Sequence, residues 1–188
     1  MIEFEKKLLL SEKEYETLMK RTAPDVTVVQ RNYYYDSDDL KMNRADITCR
    51  IREKNGSYVA TMKNHSPLSN TENSAIAYSP WDSRFFNDPT LKLQGCMTTT
   101  RTLLYRNDFL EIVLDKNEYL DCTDYELEIE YTSEKEWQAE HCLREIRKYL
   151  QSQLPQADAC ITYSDLDVIP NKSARFFSAL QQKASILP

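Results

Sequence analysis

Over residues 2–10 apolar and polar side chains alternate with a period of two, Ile2 and Phe4 against Glu3, Glu5 and Lys7, so the chain is expected to begin with a strand. Ser11 and Glu14 then form an S-x-x-E capping box, and Tyr15, Leu18 and Met19 give an apolar stripe to a helix that Pro24 stops. The valine- and tyrosine-rich residues 26–35 predict a second strand, closed by the polar run Asp36-Ser37-Asp38-Asp39. Residues 47–53 and 57–63 alternate on either side of Asn55-Gly56, the dipeptide that most favours a tight hairpin. A polar loop over 64–73 and a short strand over 74–79 are expected next, then an irregular or helical stretch over 80–100, where Pro89 and Gly95 break any longer element. Residues 101–105, 109–116 and 125–132 predict three more strands. A second capping box, Ser133 with Glu136, starts a helix in which Trp137, Leu143, Ile146 and Leu150 recur at helical spacing up to Pro155. A short strand around 161–163 and a last helix over 173–183 complete a single α+β domain over 1–188, with about eight mostly antiparallel strands.

Composition narrows the setting. The 188 residues carry 24 basic and 30 acidic side chains, a net charge of −6, which argues against a surface built to grip nucleic acid. No apolar run approaches the roughly 20 residues of a membrane helix, and the first residues are too charged for a secretory leader, so a cytoplasmic protein without membrane contact is expected. Five cysteines (Cys49, Cys96, Cys122, Cys142, Cys160) without CxxC spacing fit reduced thiols better than a disulfide framework or a zinc site. His65 and His141 have no partner at ligand spacing.

The polar faces of the strands change the picture. They are almost purely ionic and sorted by sign: Glu3 and Glu5 on the first strand, Arg50 and Arg52 on one hairpin strand, Lys63 on the other, and Glu126, Glu128 and Glu130 late in the chain. A solvated sheet with scattered salt bridges would also put polar groups on one face, but would mix in threonine, serine and glutamine. If the sheet closes as a barrel, the ionic face becomes a lumen, and the apolar face points outward under the amphipathic helices. Carboxylates clustered there need cations, and neighbouring arginines need an anion. A divalent metal with a polyphosphate meets both needs, because Mg²⁺ and Mn²⁺ prefer oxygen ligands and the arginine fork matches phosphate.

In order along the chain, these charged residues resemble a known family. Glu3-Phe4-Glu5-Lys6-Lys7 is similar to the E-x-E-x-K signature of the CYTH superfamily, the triphosphate tunnel metalloenzymes. Tyr34-Tyr35-Asp36, Arg50-Ile51-Arg52, Thr61-Met62-Lys63 and Glu126-Leu127-Glu128 follow in the family's order. The resemblance covers about residues 1–132 and extends to the Asn171–Phe177 segment. It implies an eight-stranded antiparallel closed β-barrel, a tunnel with a charged lumen and helices packed on its outside. It implies catalytic, metal-holding carboxylates at Glu3, Glu5, Asp115, Glu126 and Glu128. It also implies a substrate-binding set of Lys7, Arg50, Arg52, Lys63, Glu72, Arg101 and Lys172, the last closing one mouth of the tunnel. Glu111 and Glu130 share strand faces with Asp115 and Glu128 and are read as solvated rim residues.

The activity so implied is metal-dependent hydrolysis of a triphosphate, most simply inorganic tripolyphosphate, with Mg²⁺ or Mn²⁺ as cofactor and two ions present when substrate is bound. The catalysis would be one of positioning and charge. Class IV adenylate cyclase chemistry, thiamine triphosphate hydrolysis, RNA 5′-triphosphate removal and a non-catalytic polyphosphate- or nucleotide-binding module are the alternatives. The acidic balance makes RNA the weakest of these.

Overall fold

The computed structural model describes residues 4–22, 26–65, 71–154 and 169–186. Among the described residues there are eight strands: β1 (Phe4–Leu10), β2 (Thr27–Asp36), β3 (Ile47–Lys54), β4 (Ser57–Asn64), β5 (Thr71–Ala77), β6 (Lys92–Arg106), β7 (Leu110–Tyr119) and β8 (Cys122–Tyr131). They form one sheet in the order β1-β8-β7-β6-β2-β3-β4-β5. Four helices accompany it: α1 (Glu12–Thr22), α2 (Lys41–Arg44), α3 (Glu136–Gln153) and α4 (Lys172–Ile186). The expected α+β class with eight antiparallel strands and amphipathic helices is the architecture observed. No helix among the described residues is long and apolar enough to cross a membrane. The chain divides into two compact units, the first holding residues 1–28, 100–117 and 123–169, the second 29–99, 118–122 and 170–188.

In the first unit the period of two sorts the strands. Leu8 and Leu10 of β1, Leu110, Ile112 and Leu114 of β7, and Leu127, Ile129 and Tyr131 of β8 turn one face into an apolar core, where Leu18 of α1 and Ala139 and Leu150 of α3 join them. The alternate positions carry Glu5 and Lys7, Asp115, and Glu126 and Glu128. β1 pairs antiparallel with β8, which sets Lys7 opposite Glu128 and Glu5 opposite Glu130. The Ser11 capping box forms as expected: Glu14 accepts from the Ser11 amide at 2.7 Å, and the Glu14 amide donates to Ser11 Oγ at 3.2 Å. The second box does not form. Residues Ser133–Lys135 make a 3₁₀ turn and α3 begins at Glu136 without a side-chain cap. The Glu136 carboxylate is held by Lys6 Nζ at 3.1 Å, so a tertiary ion pair has taken the group the cap needs.

In the second unit, β2 to β5 form an antiparallel run whose registers place Asn32 opposite Arg52, Arg50 opposite Thr61 and Tyr34, and Lys63 opposite Thr48 and Glu72. The other face buries Tyr35, Cys49, Ile51, Ala60 and Ala77 with Phe86 and Leu91. Asn55 (φ 53°) and Gly56 (φ 76°) adopt the left-handed backbone of a tight hairpin turn. Tyr34, Met97, Tyr119, Phe176 and Phe177 form a second cluster that seats α4. Buried Asp36 accepts the amides of Ser37, Met42 and Asn43 at 2.8–2.9 Å and so closes the α2 turn, a helix the sequence pattern did not announce.

Three expectations are corrected here. The loop expected over 64–73 is partly strand, since β4 runs to Asn64 and β5 starts at Thr71. The irregular stretch over 80–100 holds a 3₁₀ turn at Ser83–Phe86 and then the first half of the 15-residue β6. Gly95 does not end that strand. It lets Phe176 approach, because a Cβ there would stand 2.7 Å from the Phe176 ring. The strand expected around 161–163 lies outside the described residues.

Candidate functional site

The first unit carries the acidic part of the expected site. Asp115 on β7 and Glu126 and Glu128 on β8 are all buried, and one carboxylate oxygen from each lies within 4.8 Å of the other two. Three anions this close and this dry require a positive charge beside them. A set of carboxylate oxygens alone is what a hard divalent cation such as Mg²⁺ or Mn²⁺ prefers, so the residues fit the expected metal. Glu5 is exposed and pairs with Lys7 at 3.2 Å. Glu3 lies outside the described residues.

Two cations stand among these anions. Lys7 reaches Glu128 at 3.2 Å. Burial works to lower its pKa, but Glu128 and Glu5 outweigh burial and hold it above the ordinary lysine value. Arg101 on β6 donates Nε to Asp115 at 2.9 Å, Nη2 to Asp115 at 2.7 Å and also to Glu128, and Nη1 to Glu130 at 3.3 Å. Burial opposes its charge as well, yet Asp115, Glu128 and Glu130 fix the guanidinium in its charged form. Arg101, expected to hold phosphate, is here the counter-ion of the acidic cluster. Glu130, expected at a solvated rim, is one of its partners. Glu111 pairs instead with Arg106 at 2.5 Å. Asn117, fully buried on the Asp115 face, donates to Asp124 at 2.8 Å.

The second unit carries the basic part. Arg50, Arg52 and Lys63 share a sheet face, as two-residue spacing and the hairpin register require. Arg50 Nε is buried and meets no hydrogen-bond partner among the described residues. An unsatisfied buried donor costs about 1–3 kcal/mol, so its persistence points to a group that supplies the missing acceptor. Arg52 Nε donates to Asn32 Oδ1 at 2.8 Å, and Asn32 is itself buried. Lys63 and Glu72 stand opposite each other, half-buried and exposed respectively, at 3.9 Å. Tyr34 lies fully buried against Phe176 and Phe177, and burial raises its pKa against the pull of Arg50, Arg52 and Arg175. Half-buried Lys172 opens α4, and its neighbour Ser173 is tied to Thr48 on the Arg50 face at 2.6 Å.

The sequence pattern missed Asn32, and the signal was present. Gln30 and Asn32 are polar at the alternate positions of a valine- and tyrosine-rich strand, in phase with Asp36. Two cysteines behave as packed thiols: Cys49 is buried with its pKa pushed up to about 12, and Cys142 packs against the first core, whereas Cys122 is exposed. His65 donates or accepts at Thr48 Oγ1 (2.9 Å) rather than standing at a carboxylate cluster.

Comparison with known proteins gives the family of the chain. Residues 1–159 match the CYTH domain. YjbK of Bacillus subtilis (strain 168), provisionally named a triphosphatase, is 31% identical over 148 residues, spanning 69% of this chain and 77% of its own. A Bacillus halodurans protein provisionally described as an adenylate cyclase is 25% identical, with a TM-score of 0.70 over 94% of this chain and 97% of its own. HpAC1 of Hippeastrum, provisionally described as an adenylyl cyclase and said to have a dominant triphosphatase activity, shares the fold at a TM-score of 0.69 and 20% identity, over 94% of this chain and 96% of its own. With the family match spanning residues 1–159, most of the chain, the protein belongs to the CYTH domain family.

Proposed function

We propose that this protein hydrolyses a triphosphate with the help of a divalent metal, inorganic tripolyphosphate being the simplest substrate, and that residues 1–188 act as one tunnel domain. The observation that carries the reading is the buried, unpartnered Arg50 Nε on a face shared with Arg52 and Lys63, a cation arranged for an anion that the described residues do not provide. The triphosphatase name of YjbK and the description of HpAC1 favour hydrolysis over cyclisation.

Within this reading Arg50 and Arg52 bind phosphate oxygens through their forks, and Asn32 fixes the second of them through Nε. Lys63 and the opposed Glu72 share that face, Lys172 belongs to the same substrate-binding set, and Lys7 supplies charge beside Glu128. Asp115, Glu126 and Glu128, with Glu3 and Glu5 of the N-terminal motif, would hold the metal. When bound, Mg²⁺ or Mn²⁺ supplies positive charge that offsets the negative charge of the reacting phosphates. The side chains contribute by holding and aligning a highly charged substrate, and the phosphoryl transfer itself needs little covalent help.

The test is a panel of tripolyphosphate, ATP and thiamine triphosphate with Mg²⁺ or Mn²⁺, in which orthophosphate, pyrophosphate and cyclic AMP are all measured. Orthophosphate from tripolyphosphate is the expected product. Cyclic AMP and pyrophosphate from ATP as the main products would replace the reading with cyclase chemistry. Tight binding of all three without turnover would replace it with a binding module.

A further inference from the structure

Arg101 is heavily engaged by carboxylates of the first unit. Its guanidinium meets Asp115 through two nitrogens, Glu128 through a nitrogen it shares with Asp115, and Glu130 through the third. Asp115 and Glu128 are also two of the three carboxylates whose oxygens converge within 4.8 Å. A cation that binds the cluster therefore meets a positive charge already seated on two of its ligands. Arg101 side-chain exposure is 22% and that of Asp115 is 0%, so water screens these charges little. The fork that grips two carboxylates has the same shape that grips phosphate.

We infer that Arg101 is a built-in competitor of the metal: it neutralises Asp115 and Glu128 until a divalent cation takes them, and the guanidinium so released becomes a phosphate ligand. Metal binding then creates a binding group for the substrate as well as a charge beside it. The arrangement makes metal and triphosphate bind cooperatively through one side chain, and it lowers the affinity for metal alone. It also keeps the acidic cluster compensated at every stage, since three buried carboxylates never face one another without a cation. Competition for the carboxylates stands on the geometry of the first unit. The release toward phosphate rests on the triphosphate reading above.

The two halves are tested separately. Calorimetric titration of the protein with Mn²⁺ alone, without phosphate, is compared for wild type, Arg101→Gln and Arg101→Lys. Arg101→Gln is expected to bind Mn²⁺ at least about tenfold more tightly than wild type, a gain of about 1.4 kcal/mol, with Arg101→Lys in between. Equal or weaker binding by Arg101→Gln overturns the competition. Thermal unfolding gives a second readout. Without Mn²⁺ the Gln variant melts below wild type, and its Tm rises more steeply as Mn²⁺ is added. If the variant folds only with Mn²⁺, metal-driven recovery of native circular dichroism supports the inference, and recovery indifferent to Mn²⁺ overturns it. For the second half, the factor by which Mn²⁺ tightens tripolyphosphate binding should shrink in Arg101→Gln. An unchanged factor removes the release step. Loss of the triphosphatase reading would show in the wild-type product panel, whereas loss of this inference shows in the Mn²⁺ titration.

Discussion

The two units solve opposite charge problems in opposite ways. In the first, buried carboxylates are compensated internally: Arg101 takes Asp115, Glu128 and Glu130, and Lys7 takes Glu5 and Glu128. In the second, a buried donor of Arg50 is left unsatisfied. An anionic cluster can borrow cations from neighbouring strands and still accept a metal later, because exchanging one cation for another leaves the carboxylates compensated. Arg50 Nε is instead left with a desolvation cost in the folded chain, which an acceptor supplied by a ligand would remove. On the reading proposed above, self-compensation marks the region where the protein's own cation is exchangeable, and the orphaned donor marks the region kept for the ligand.

The sharpest way to break this contrast is to delete one partner from each side and compare stability with activity. Asp115→Ala removes the carboxylate that holds two nitrogens of Arg101 and should cost about 3 kcal/mol in denaturant unfolding, because a largely buried guanidinium loses its bidentate partner and keeps only Glu128 and Glu130. Turnover with Mg²⁺ should fall by at least about a hundredfold. A fully stable Asp115→Ala would mean that the network is not what holds this region together. Arg50→Met does the reverse. Tripolyphosphate hydrolysis should fall by about two orders of magnitude, while stability stays level or rises by about 1 kcal/mol as an unsatisfied donor leaves the interior. A loss of 3 kcal/mol from Arg50→Met would show that Arg50 serves the fold. Asn32→Ala should act on the site through Arg52 Nε, raising KM for tripolyphosphate several-fold and changing kcat less. Equal losses in kcat and KM from Arg52→Lys and Asn32→Ala would argue that both act beyond orientation.

The smallest effect is in the alkaline limb. Lys7 has a raised pKa, so its contribution to stability is complete below its ordinary value of 10.5 and fades as pH climbs through the higher folded-state value. Urea midpoints between pH 10 and 12 should therefore fall more steeply for wild type than for Lys7→Met. Parallel curves would remove Lys7 from the stabilising set. Acid should not test this pair in the same window, because the lysine stays charged there.

Much of this was legible in the chain. Alternation put Lys7, Arg50, Arg52, Glu126 and Glu128 on the ionic faces, and the Asn55-Gly56 turn fixed the hairpin register that aligns Arg50 with Thr61. The Ser11 box was readable because both of its partners are local. The Ser133 box was misread because Lys6, more than a hundred residues away in sequence, claims Glu136. Gly95 was misread as a breaker for the same reason, since the Phe176 ring that requires its missing Cβ arrives from α4.

The sequence by itself determined which face each charge would occupy, because side-chain direction along a strand follows from backbone geometry within two residues. Only the tertiary structure decided which charges would find each other. Arg101 was named only by the family resemblance, and whether it would grip carboxylates or await phosphate depended on the packing of β6, β7 and β8. Arg50 and Arg52 are indistinguishable in an R-x-R motif, and they differ in the fold because Asn32 stands opposite one of them. Pairing energies fall with distance and rise with burial, and both quantities exist only once strands remote in sequence are assembled.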